Sequence, residues 1–400
     1  MSVPVRKKIS VRDLNLEAKR VFLRADLNVP LEQGRISDDT RIRATLPTLR
    51  MVLEKGGRAI LASHLGRPNG KPDPAWSLAP VAERLRTLLG EEVRFVRDCA
   101  GDPARQASEE LRPGEALLLE NLRFHPGEEK NDPEFARSLA HLADAYVNDA
   151  FGSAHRAHAS VSAICGHFHV AAAGLLMEKE IHYLGELLGS PPRPYLAILG
   201  GAKVSDKVDL VRNLLSRVDA ILIGGAMAYT FLAARGISVG NSRVETDKVP
   251  LAGEILERAE SAGVAIYLPS DHRVAVSLEA SGEEETTEGA SIPSGRVGLD
   301  IGPLTAAAFT EIVGPAGTVL WNGPLGLFER PPFDRGSRRV AEAVAASNAL
   351  SVAGGGDTAA ALARFGLSER FTHVSTGGGA SLEFLSGLEL PGIAALTDWS

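Results

Sequence analysis

The sequence is poor in cysteine, in long apolar runs and in excess positive charge. Only two cysteines, Cys99 and Cys165, occur among its 400 residues, and without a C-x-x-C pair they indicate neither a disulfide framework nor a thiolate metal site. The formal net charge of −7 has the wrong sign for a protein whose main partner is nucleic acid or an anionic membrane. No segment approaches the ~18 uninterrupted apolar residues of a membrane-spanning helix, and no apolar stretch follows the basic residues near the N-terminus. We therefore expect no signal peptide, no membrane span and a reducing, cytoplasmic location.

The composition is that of a globular protein with ample apolar surface. Hydrophobic residues make up 44% and charged residues 23% of the chain, which excludes wholesale disorder. Glycine is abundant, with 41 residues, and it has no G-X-Y period, so we expect the excess in loops that need a positive φ or a close backbone approach. At about 150 residues a domain, the length favours two domains.

Apolar runs alternate with amphipathic stretches along the chain, which predicts an α/β protein with two doubly wound, parallel-sheet domains joined by a helix and hinge. In the first half we predict strands at 20–25, 58–63, 116–119 and 145–148, and helices that include 78–89 and 133–142. The predicted N-terminal domain is 1–173, the interdomain helix 174–188 and the C-terminal domain 189–385. Whether 386–400 returns to the N-terminal domain is left open. The acidic segment 279–294 predicts a solvated surface loop.

In the second half, glycines follow four predicted strands and precede helices. These glycines lie at 200–201, 224–225, 354–356 and 377–379, at the carboxyl ends of strands, where open α/β sheets bind ligands. The first loop also carries Lys203 and Lys207. Backbone N–H groups at a helix start bind phosphate, and two like charges on one helix face are explained by a shared anion. A tight turn with surface lysines is the alternative that this spacing leaves open.

The loop that begins at residue 354 adds a carboxylate and a hydroxyl, Asp357 and Thr358, at a helix start. An N-cap explains both residues by itself, but beside a phosphate loop an aspartate is the expected ligand of a Mg²⁺ that bridges nucleotide phosphates. The sequence contains neither G-x-G-x-x-G nor G-x-x-x-x-G-K-[ST], so a dinucleotide fold and a P-loop are not indicated. The protein-kinase segments H-R-D and D-F-G are absent as well. The loops therefore predict a different kinase architecture.

Arginines recur at the ends of predicted strands in the first half. Four of them lie in such a strand or in the loop after it, and a fifth opens a helical stretch: Arg24, Arg67, Arg123, Arg156 and Arg41. Guanidinium groups gathered at one edge of a sheet form an anion pocket, because the planar fork suits phosphate and carboxylate bidentately. Each arginine by itself fits a surface salt bridge, but their recurrence in an acidic protein favours an anion site.

Eight segments of the chain are specific enough to name a family. Between about residue 20 and about residue 385 the chain contains, in order, RADLNVP, SHLGRP, ENLRFHPGE, DAFGSAHRAHAS, LGGAKVSDK, VLWNGPLGLFE, AGGGDT and STGGGASLEFL. These segments resemble the phosphoglycerate kinases over nearly the whole chain. The resemblance implies a monomeric enzyme of glycolysis and gluconeogenesis that transfers a phosphoryl group from 1,3-bisphosphoglycerate to ADP, with Mg²⁺, and yields 3-phosphoglycerate and ATP. Leu27 departs from the pattern, since the family commonly has phenylalanine there.

The resemblance also implies which residues contact the ligands. In that family the N-terminal domain binds the phosphoglycerate and the C-terminal domain binds the nucleotide. The implied triose contacts are Asp26, Leu27, Asn28, Arg41, His64, Leu65, Gly66, Arg67, Arg123 and Arg156. The implied nucleotide contacts are Gly201, Lys203, Lys207, Gly298, Asn322, Glu329, Gly355, Gly356, Asp357 and Thr358, with Asp357 on Mg²⁺ and Glu329 on the ribose.

The expected chemistry needs charge neutralisation rather than a general base. A carboxylate acceptor with a reference pKa of about 4 is already ionised at neutral pH, so catalysis depends on positioning and on neutralising charge. We expect Arg41 and Lys203 to face the transferring phosphoryl group from opposite domains, aided by N–H groups near Gly378, and hinge closure to exclude water. Two alternatives stay open: another ATP-dependent kinase of a small carboxylate, and a nucleotide-sensing protein without turnover.

Overall fold

The chain divides into two units, and one helix belongs to both. The structure is a computed structural model that describes residues 6–278 and 284–399. Of the described residues, the first unit comprises 6–182 and the C-terminal segment 389–399, and the second unit extends from Tyr183 to Leu388. The division falls inside the helix Leu175–Leu188. Each unit contains a six-stranded sheet, which confirms the predicted fold class of two parallel-sheet α/β domains.

The strands of both large sheets are short, and most are buried. In chain order the strands of the described residues are β1 (Arg20–Arg24), β2 (Leu31–Glu32), β3 (Arg35–Ile36), β4 (Arg58–Ala62), β5 (Val93–Val96), β6 (Ala116–Leu119), β7 (Ala145–Asn148), β8 (Ala171–Ala173), β9 (Tyr195–Leu199), β10 (Ala220–Ile223), β11 (Ala265–Tyr267), β12 (His272–Ala275), β13 (Glu285–Thr286), β14 (Val297–Ile301), β15 (Thr318–Asn322), β16 (Leu350–Gly354) and β17 (His373–Val374). Every residue of β6, β9 and β15 is buried. Such continuous apolar runs are expected where helices cover both faces of a parallel sheet.

The helices begin and end at residues whose chemistry suits those positions. In chain order they are α1 (Thr40–Glu54), α2 (Ala79–Leu89), α3 (Gly101–Glu109), α4 (Pro126–Glu129), α5 (Pro133–Ala140), α6 (Leu175–Leu188), α7 (Val208–Leu214), α8 (Met227–Ala234), α9 (Val249–Ser261), α10 (Pro303–Val313), α11 (Arg335–Ala346), α12 (Gly356–Phe365), α13 (Gly379–Leu385) and α14 (Pro391–Ala394). At the start of α5 the Asp132 carboxylate accepts from two backbone N–H groups, and α2 ends at Gly90 in the left-handed conformation. Within the described residues, the helices lack the combination of length and apolarity that crossing a membrane requires.

The first unit's sheet brings four strand ends together at one edge. Its strand order is β5-β6-β4-β1-β7-β8, and every neighbouring pair is parallel. Arg24, at the end of β1, pairs in register with Ala62 of β4 and with Asn148 of β7. Because parallel strands all end at the same edge, the loops after β6, β4, β1 and β7 leave the sheet side by side.

The second unit's sheet likewise places the glycine loops at one of its edges. Its order is β11-β10-β9-β15-β16-β17, again parallel throughout. Asn322, at the end of β15, pairs in register with Leu199 of β9 and Gly354 of β16. A separate antiparallel sheet, β13-β12-β14, belongs to the same unit. The strands that precede the four glycine loops form two neighbouring pairs, β10 with β9 and β16 with β17, and β15 lies between the pairs.

Several sequence-based predictions need correction in detail. The predicted strands at 116–119 and 145–148 match the structure, whereas those at 20–25 and 58–63 are one residue too long, and the helices predicted at 78–89 and 133–142 are α2 and α5. The sequence pattern did not predict β2, β3, β5, β8, β11, β15 or the antiparallel sheet. β8 consists of three alanines, which have little β propensity, so only its pairing with β7 makes it a strand. Within 279–294, residues 279–283 lie outside the described residues, and Glu285–Thr286 forms β13 where we predicted a loop.

Candidate functional site

The triose contacts implied by the sequence gather at the carboxyl edge of the first unit's sheet. Asp26, Leu27 and Asn28 follow β1, the segment 64–67 follows β4, Arg123 follows β6 and Arg156 follows β7. Hydrogen bonds join three of these loops. The Gly66 N–H donates to Asn28 Oδ1 at 2.9 Å, and Arg123 Nη1 donates to the Gly66 carbonyl at 2.8 Å. The loops after β1, β4 and β6 therefore form one connected surface.

Arg41 is oriented by a buried carboxylate. It lies in the first turn of α1, and its Nη1 donates to Asp26 Oδ2 at 2.7 Å. Asp26 is 7% exposed, whereas the Arg41 side chain is 34% exposed. The other carboxylate oxygen of Asp26 accepts from the Asn28 N–H at 3.2 Å. The guanidinium is thus held at one side and accessible elsewhere, which suits it to an anionic ligand.

Buried positive charge concentrates behind these loops. Arg24 is fully buried and Arg123 is 4% exposed. Burial lowers the pKa of Arg123, and the neighbouring charges of Arg156 and Arg24 add to that effect. Burial, together with the charges of Arg24 and Arg123, holds the pKa of His64 well below its ordinary value, so the ring is neutral at pH 7. Cations that repel one another in a poorly solvated cluster favour the binding of an anion.

Two polar residues that the sequence analysis missed hold the segment 64–67 in place. Asn121 is fully buried; its Oδ1 accepts from the Leu65 N–H at 3.2 Å, and its Nδ2 donates to the Leu65 carbonyl at 2.7 Å. Ser63 Oγ accepts from the Leu27 N–H at 2.9 Å. The side chains of Leu27 and Leu65 are themselves buried, so they support the loops rather than line a polar site. The signal that would have found Asn121 and Ser63 is a polar residue within two positions of a buried strand.

The remaining implied contacts of this unit are more open. Arg67 is exposed, and Arg156 is half-buried, with its Nε donating to His155 Nε2 at 3.1 Å. Both residues are therefore more accessible to solvent than Arg24 and Arg123.

Gly66 occupies a position that only glycine fits. Its φ is +60°, and an added Cβ would lie 2.0 Å from a ring carbon of Trp76. We expect Gly66→Ala to lower the free energy of unfolding by about 2–4 kcal/mol, because a steric clash adds to the strain of the left-handed backbone. Urea denaturation measures this loss.

Gly34 provides the matched control for that substitution. It also has a positive φ, +75°, but an added Cβ would meet nothing within 4 Å. Gly34→Ala should therefore cost only the backbone strain, about 1 kcal/mol. Equal losses in the two variants would contradict the role assigned to the Trp76 contact.

The glycine loops of the second unit interlock through their main chains. Gly200 and Gly201 follow β9, and Gly323 follows the neighbouring strand β15. The Gly200 N–H donates to the Asn322 carbonyl at 3.0 Å, and the Gly201 N–H donates to the Pro324 carbonyl at 2.9 Å. Gly323 has a φ of +95°, and an added Cβ would lie 2.3 Å from the Gly200 carbonyl oxygen. Glycine is required where the two loops pass each other.

Lys207 is buried against these loops. It is 8% exposed, and its Nζ donates to the Asn322 carbonyl at 2.9 Å and also contacts Asn322 Oδ1. An added Cβ on Gly323 would lie 2.8 Å from this Nζ. Burial lowers the pKa of Lys207 to about 8, although Asp357 and Asp206 oppose the shift. A buried amine that has lost its hydration is suited to an anionic ligand, because the anion stabilises the charged form.

Lys203 lies on an exposed loop that is held by hydrogen bonds to a carboxylate far away in the sequence. Glu245 accepts from the Val204 N–H at 2.5 Å through Oε2 and from the Ser205 hydroxyl at 2.6 Å through Oε1. Burial raises the pKa of Glu245, but the hydrogen bonds from Ser205 and Val204 outweigh that effect and bring it below its ordinary value. Glu245 is not recognisable from the sequence, because 41 residues separate it from Val204 and no local pattern links them.

The loop after β16 presents a carboxylate to solvent at the start of α12. Thr358 is buried, and its Oγ1 accepts from the Gly323 N–H at 2.7 Å. Asp357 is exposed. The N-cap explanation for these two residues is wrong, since the N-cap is Gly355 and no side chain caps this helix. Proteins bind Mg²⁺ through one or two carboxylates, several waters and substrate phosphates, and an exposed aspartate beside phosphate-type loops fits that donor set.

Three further sequence-predicted residues lie at different places in the second unit. Gly378 has a φ of +54° and directly precedes α13. Gly298 is in β14 of the antiparallel sheet, where an added Cβ would lie 2.2 Å from Tyr229 Oη. Glu329 is exposed in the segment between β15 and α11. Their contacts with a nucleotide stay predictions.

Comparison with known proteins gives a consistent result over almost the whole chain. A family model described as phosphoglycerate kinase matches residues 11–388. The chain is 54% identical to a phosphoglycerate kinase of Koribacter versatilis, over 98% of this chain and 99% of the relative. It is 53% identical to one of Moorella thermoacetica, with the same coverage.

Solved structures are similar as well. The structure of phosphoglycerate kinase from Coxiella burnetii superimposes with a TM-score of 0.88 at 41% identity, covering 97% of this chain and 98% of the other. That of the enzyme from Pyrococcus horikoshii gives a TM-score of 0.86 at 36% identity with the same coverage.

Proposed function

Because the chain belongs to the phosphoglycerate kinase family, we propose that it transfers a phosphoryl group reversibly from the acyl phosphate of 1,3-bisphosphoglycerate to ADP through two half-sites, one on each unit. The observation that carries this proposal is the presence in one chain of a buried arginine cluster and of interlocked glycine loops with a buried lysine. Each feature suits one of the two anionic substrates. Neither another small-carboxylate kinase nor a sensor without turnover is favoured.

The first unit is the proposed half-site for the phosphoglycerate. Arg123 and Arg156 supply charge from the loops after β6 and β7, and Asp26 and Asn28 orient the neighbouring donors. The proposed contacts are Asp26, Asn28, Arg41, His64, Gly66, Arg67, Arg123 and Arg156, and the buried Leu27 and Leu65 support the loops that carry them. Two observations support this assignment. Asn28, Gly66 and Arg123 are joined by hydrogen bonds, and burial lowers the pKa of Arg123 although Glu129 pairs with it at 3.1 Å.

The second unit is the proposed half-site for the nucleotide. The Lys207 ammonium is proposed to bind phosphate oxygens. The proposed contacts are Gly201, Lys203, Lys207, Gly298, Asn322, Glu329, Gly355, Gly356, Asp357 and Thr358. The buried ammonium beside Gly323 supports this assignment, because an amine with a lowered pKa gains stability when phosphate neutralises it.

Asp357 is the proposed ligand of Mg²⁺. When bound together with the nucleotide, Mg²⁺ neutralises phosphate charge. The protein's contribution is the orientation of one carboxylate, which the neighbouring Thr358 provides by tying the start of α12 to the Gly323 N–H.

The proposed chemistry is an in-line displacement. An oxygen of the ADP β-phosphate forms the new bond to phosphorus, and the bond between phosphorus and the acyl oxygen breaks, so the electron pair leaves with the carboxylate of 3-phosphoglycerate. No proton needs to move, because the leaving carboxylate is ionised at neutral pH. Arg41, Lys203 and the N–H groups near Gly378 are proposed to stabilise the charge on the transferring group.

The first experiment is a turnover assay. Purified protein is mixed with Mg-ATP and 3-phosphoglycerate, ADP formation is followed, and the acyl phosphate is trapped because the equilibrium lies toward ATP. We expect turnover that requires 3-phosphoglycerate and is absent with acetate or aspartate. Equal rates with acetate would favour a general carboxylate kinase, and no turnover with either acceptor would favour a sensing role.

The magnesium assignment predicts a specific defect. We expect Asp357→Asn to raise the Mg²⁺ concentration for half-maximal rate by about 10- to 100-fold, because one anionic ligand of the hydrated cation is lost. The rate is measured at a fixed total ATP concentration over a Mg²⁺ series.

Asp209→Asn is the matched control. Asp209 is also an exposed aspartate in the first turn of a helix, α7, and it has no assigned role. An Mg²⁺ requirement that is the same in the two variants would exclude Asp357 as the ligand. The cytoplasmic location, the monomeric state and the hinge closure stay predictions.

A further inference from the structure

A chain of buried polar groups extends behind His64 into the first unit. It begins at Glu128 of α4, passes through Ser160 and Arg24, and ends at the His64 ring. Glu128 and Arg24 are both fully buried, as is Ser160. Glu128 and Ser160 end two of the segments that carry the family resemblance, but neither has a part in the proposed substrate contacts.

The hydrogen bond between Ser160 and Glu128 determines that the Ser160 oxygen accepts from Arg24. Glu128 Oε1 accepts from the Ser160 hydroxyl at 2.6 Å, and Glu128 Oε2 accepts from the Ser160 backbone N–H at 3.0 Å. A hydroxyl has a single hydrogen and two lone pairs. Since its hydrogen points to Glu128, the Ser160 oxygen is left as an acceptor, and Arg24 Nε donates to it at 2.8 Å.

The second link determines the tautomer of the histidine. Arg24 Nη1 donates to the Ala25 carbonyl, and Arg24 Nη2 lies 3.3 Å from His64 Nδ1. A guanidinium group has donors only, so His64 Nδ1 must accept. The neutral ring then carries its hydrogen on Nε2.

The charge on the ring is set by its surroundings. Burial holds the pKa of His64 well below its ordinary value, and the charged or titratable groups that face it lower it further; these are Arg24, Arg123, Arg41 and His158. Burial and the charges of Arg123, Arg24 and Arg156 lower the pKa of His158 to about 3. Both imidazole rings are therefore neutral at pH 7.

We propose that Glu128, acting through Ser160 and Arg24, is a positioning residue that holds His64 as the neutral Nε2–H tautomer, so that the ring presents a single hydrogen-bond donor to the phosphoglycerate anion. The substrate part of this inference rests on the proposed function. The other tautomer would present a lone pair at Nε2, which repels phosphate and carboxylate oxygens. A neutral donor is effective here because the surrounding arginines already supply the charge.

The test uses the full-length protein without ligands, labelled with ¹⁵N at histidine. Long-range ¹⁵N–¹H spectra distinguish the two neutral tautomers and the charged ring, and the variant His64→Gln assigns the signals. At pH 7 we expect wild-type His64 to give the Nε2–H pattern. In Glu128→Gln and in Ser160→Ala we expect a mixture of tautomers, together with an increase of about tenfold in KM for 3-phosphoglycerate and no change in KM for ATP.

Tyr146→Phe is the matched control. The Tyr146 hydroxyl donates to the Ser160 carbonyl at 2.8 Å, so this variant also removes a buried hydrogen bond at Ser160 but leaves the Glu128 and Arg24 contacts in place. We expect it to keep both the wild-type tautomer and the wild-type KM for 3-phosphoglycerate. If Glu128→Gln does not fold, Ser160→Ala decides the outcome, because it keeps the Glu128 carboxylate and removes only the connecting oxygen.

Two results would overturn the proposal. One is a wild-type His64 ring that is charged or in the Nδ1–H form at pH 7. The other is a folded Ser160→Ala variant whose His64 spectrum and KM for 3-phosphoglycerate are those of the wild type. The spectra need no turnover, so an inactive protein with the expected tautomer would reject the proposed function and leave the positioning role of Glu128 supported.

Discussion

The Arg41→Ala variant is expected to lose about 1,000-fold in kcat, because an arginine that neutralises charge on a transferring phosphoryl group contributes at least that factor. The side chain is prepared for this role: Asp26 holds one guanidinium nitrogen at 2.7 Å, and about a third of the side chain stays accessible. Binding of each substrate alone should change little, since the interaction develops mainly in the transition state. Steady-state kinetics and separate calorimetric titrations with 3-phosphoglycerate and ATP measure the two effects.

Arg43→Ala separates this effect from general damage to α1. Arg43 lies two positions further along the same helix, its side chain is 56% exposed, and it pairs with Asp39 at 2.8 Å. Its replacement removes the same charge and the same side-chain atoms without touching Asp26, so kcat should be unchanged. Arg41→Lys should recover part of the activity, because the charge is kept and the planar fork is lost. A kcat for Arg41→Ala within about tenfold of wild type would remove Arg41 from the catalytic role.

The Lys207→Met variant is expected to raise KM for ADP and ATP by about 100-fold. Methionine has similar length and apolar volume but no charge, and the loss of charge-assisted hydrogen bonds to phosphate costs about 2–3 kcal/mol. KM for 3-phosphoglycerate should stay the same, because Lys207 belongs to the second unit. The two KM values are measured by varying one substrate while the other is saturating.

The same lysine predicts how nucleotide affinity depends on pH. The pKa of Lys207 is about 8 in the ligand-free protein, and a phosphate group that binds the ammonium raises it. The ammonium is therefore the main form below pH 8 and is lost above it, so the part of the ADP affinity that depends on this charge should be constant well below that pH. It should fall by about tenfold per pH unit above it, until the pH reaches the pKa of the bound state.

Lys248→Met is the matched control for both measurements. Lys248 belongs to the same unit, but its side chain is 36% exposed and pairs with Asp247 at 3.0 Å. This variant should keep the wild-type affinity and pH profile. Loss of the pH dependence in Lys207→Met, with its retention in Lys248→Met, would assign the titration to Lys207. A profile that persists in Lys207→Met would contradict that assignment.

The fold was predictable because its pattern is local. A parallel sheet covered on both faces requires apolar runs, and the runs that became β6 and β7 are visible in the sequence with their correct bounds. β8 was not predictable, because three alanines acquire a strand conformation only through the hydrogen bonds that β7 provides. β13 was missed for the same reason: two polar residues are a strand only beside β12.

Some residues of the candidate site were likewise predictable from a local pattern, and others were not. Residues in contiguous motifs, such as Gly201, Lys203 and Asp357, were identified because adjacent positions share one loop. Asn121 and Glu245 were not identified, since their partners in the fold are separated from them by long stretches of chain: 56 residues to Leu65 and 41 to Val204. Hydrogen bonds of that range depend on strand order, which no local pattern encodes.

The sequence by itself therefore determined the chemical groups and the loops that carry them: glycines where strands end, two lysines in one loop, and arginines at the strand ends of the other half. Only the tertiary structure decided the state of those groups. The pKa of Lys207 is lowered because burial removes its water and Asn322, 115 residues away, takes its place. The tautomer of His64 depends on a guanidinium group 40 residues away. Burial and hydrogen-bond direction are properties of neighbours in space, and neighbours in space exist only once the sheets have formed.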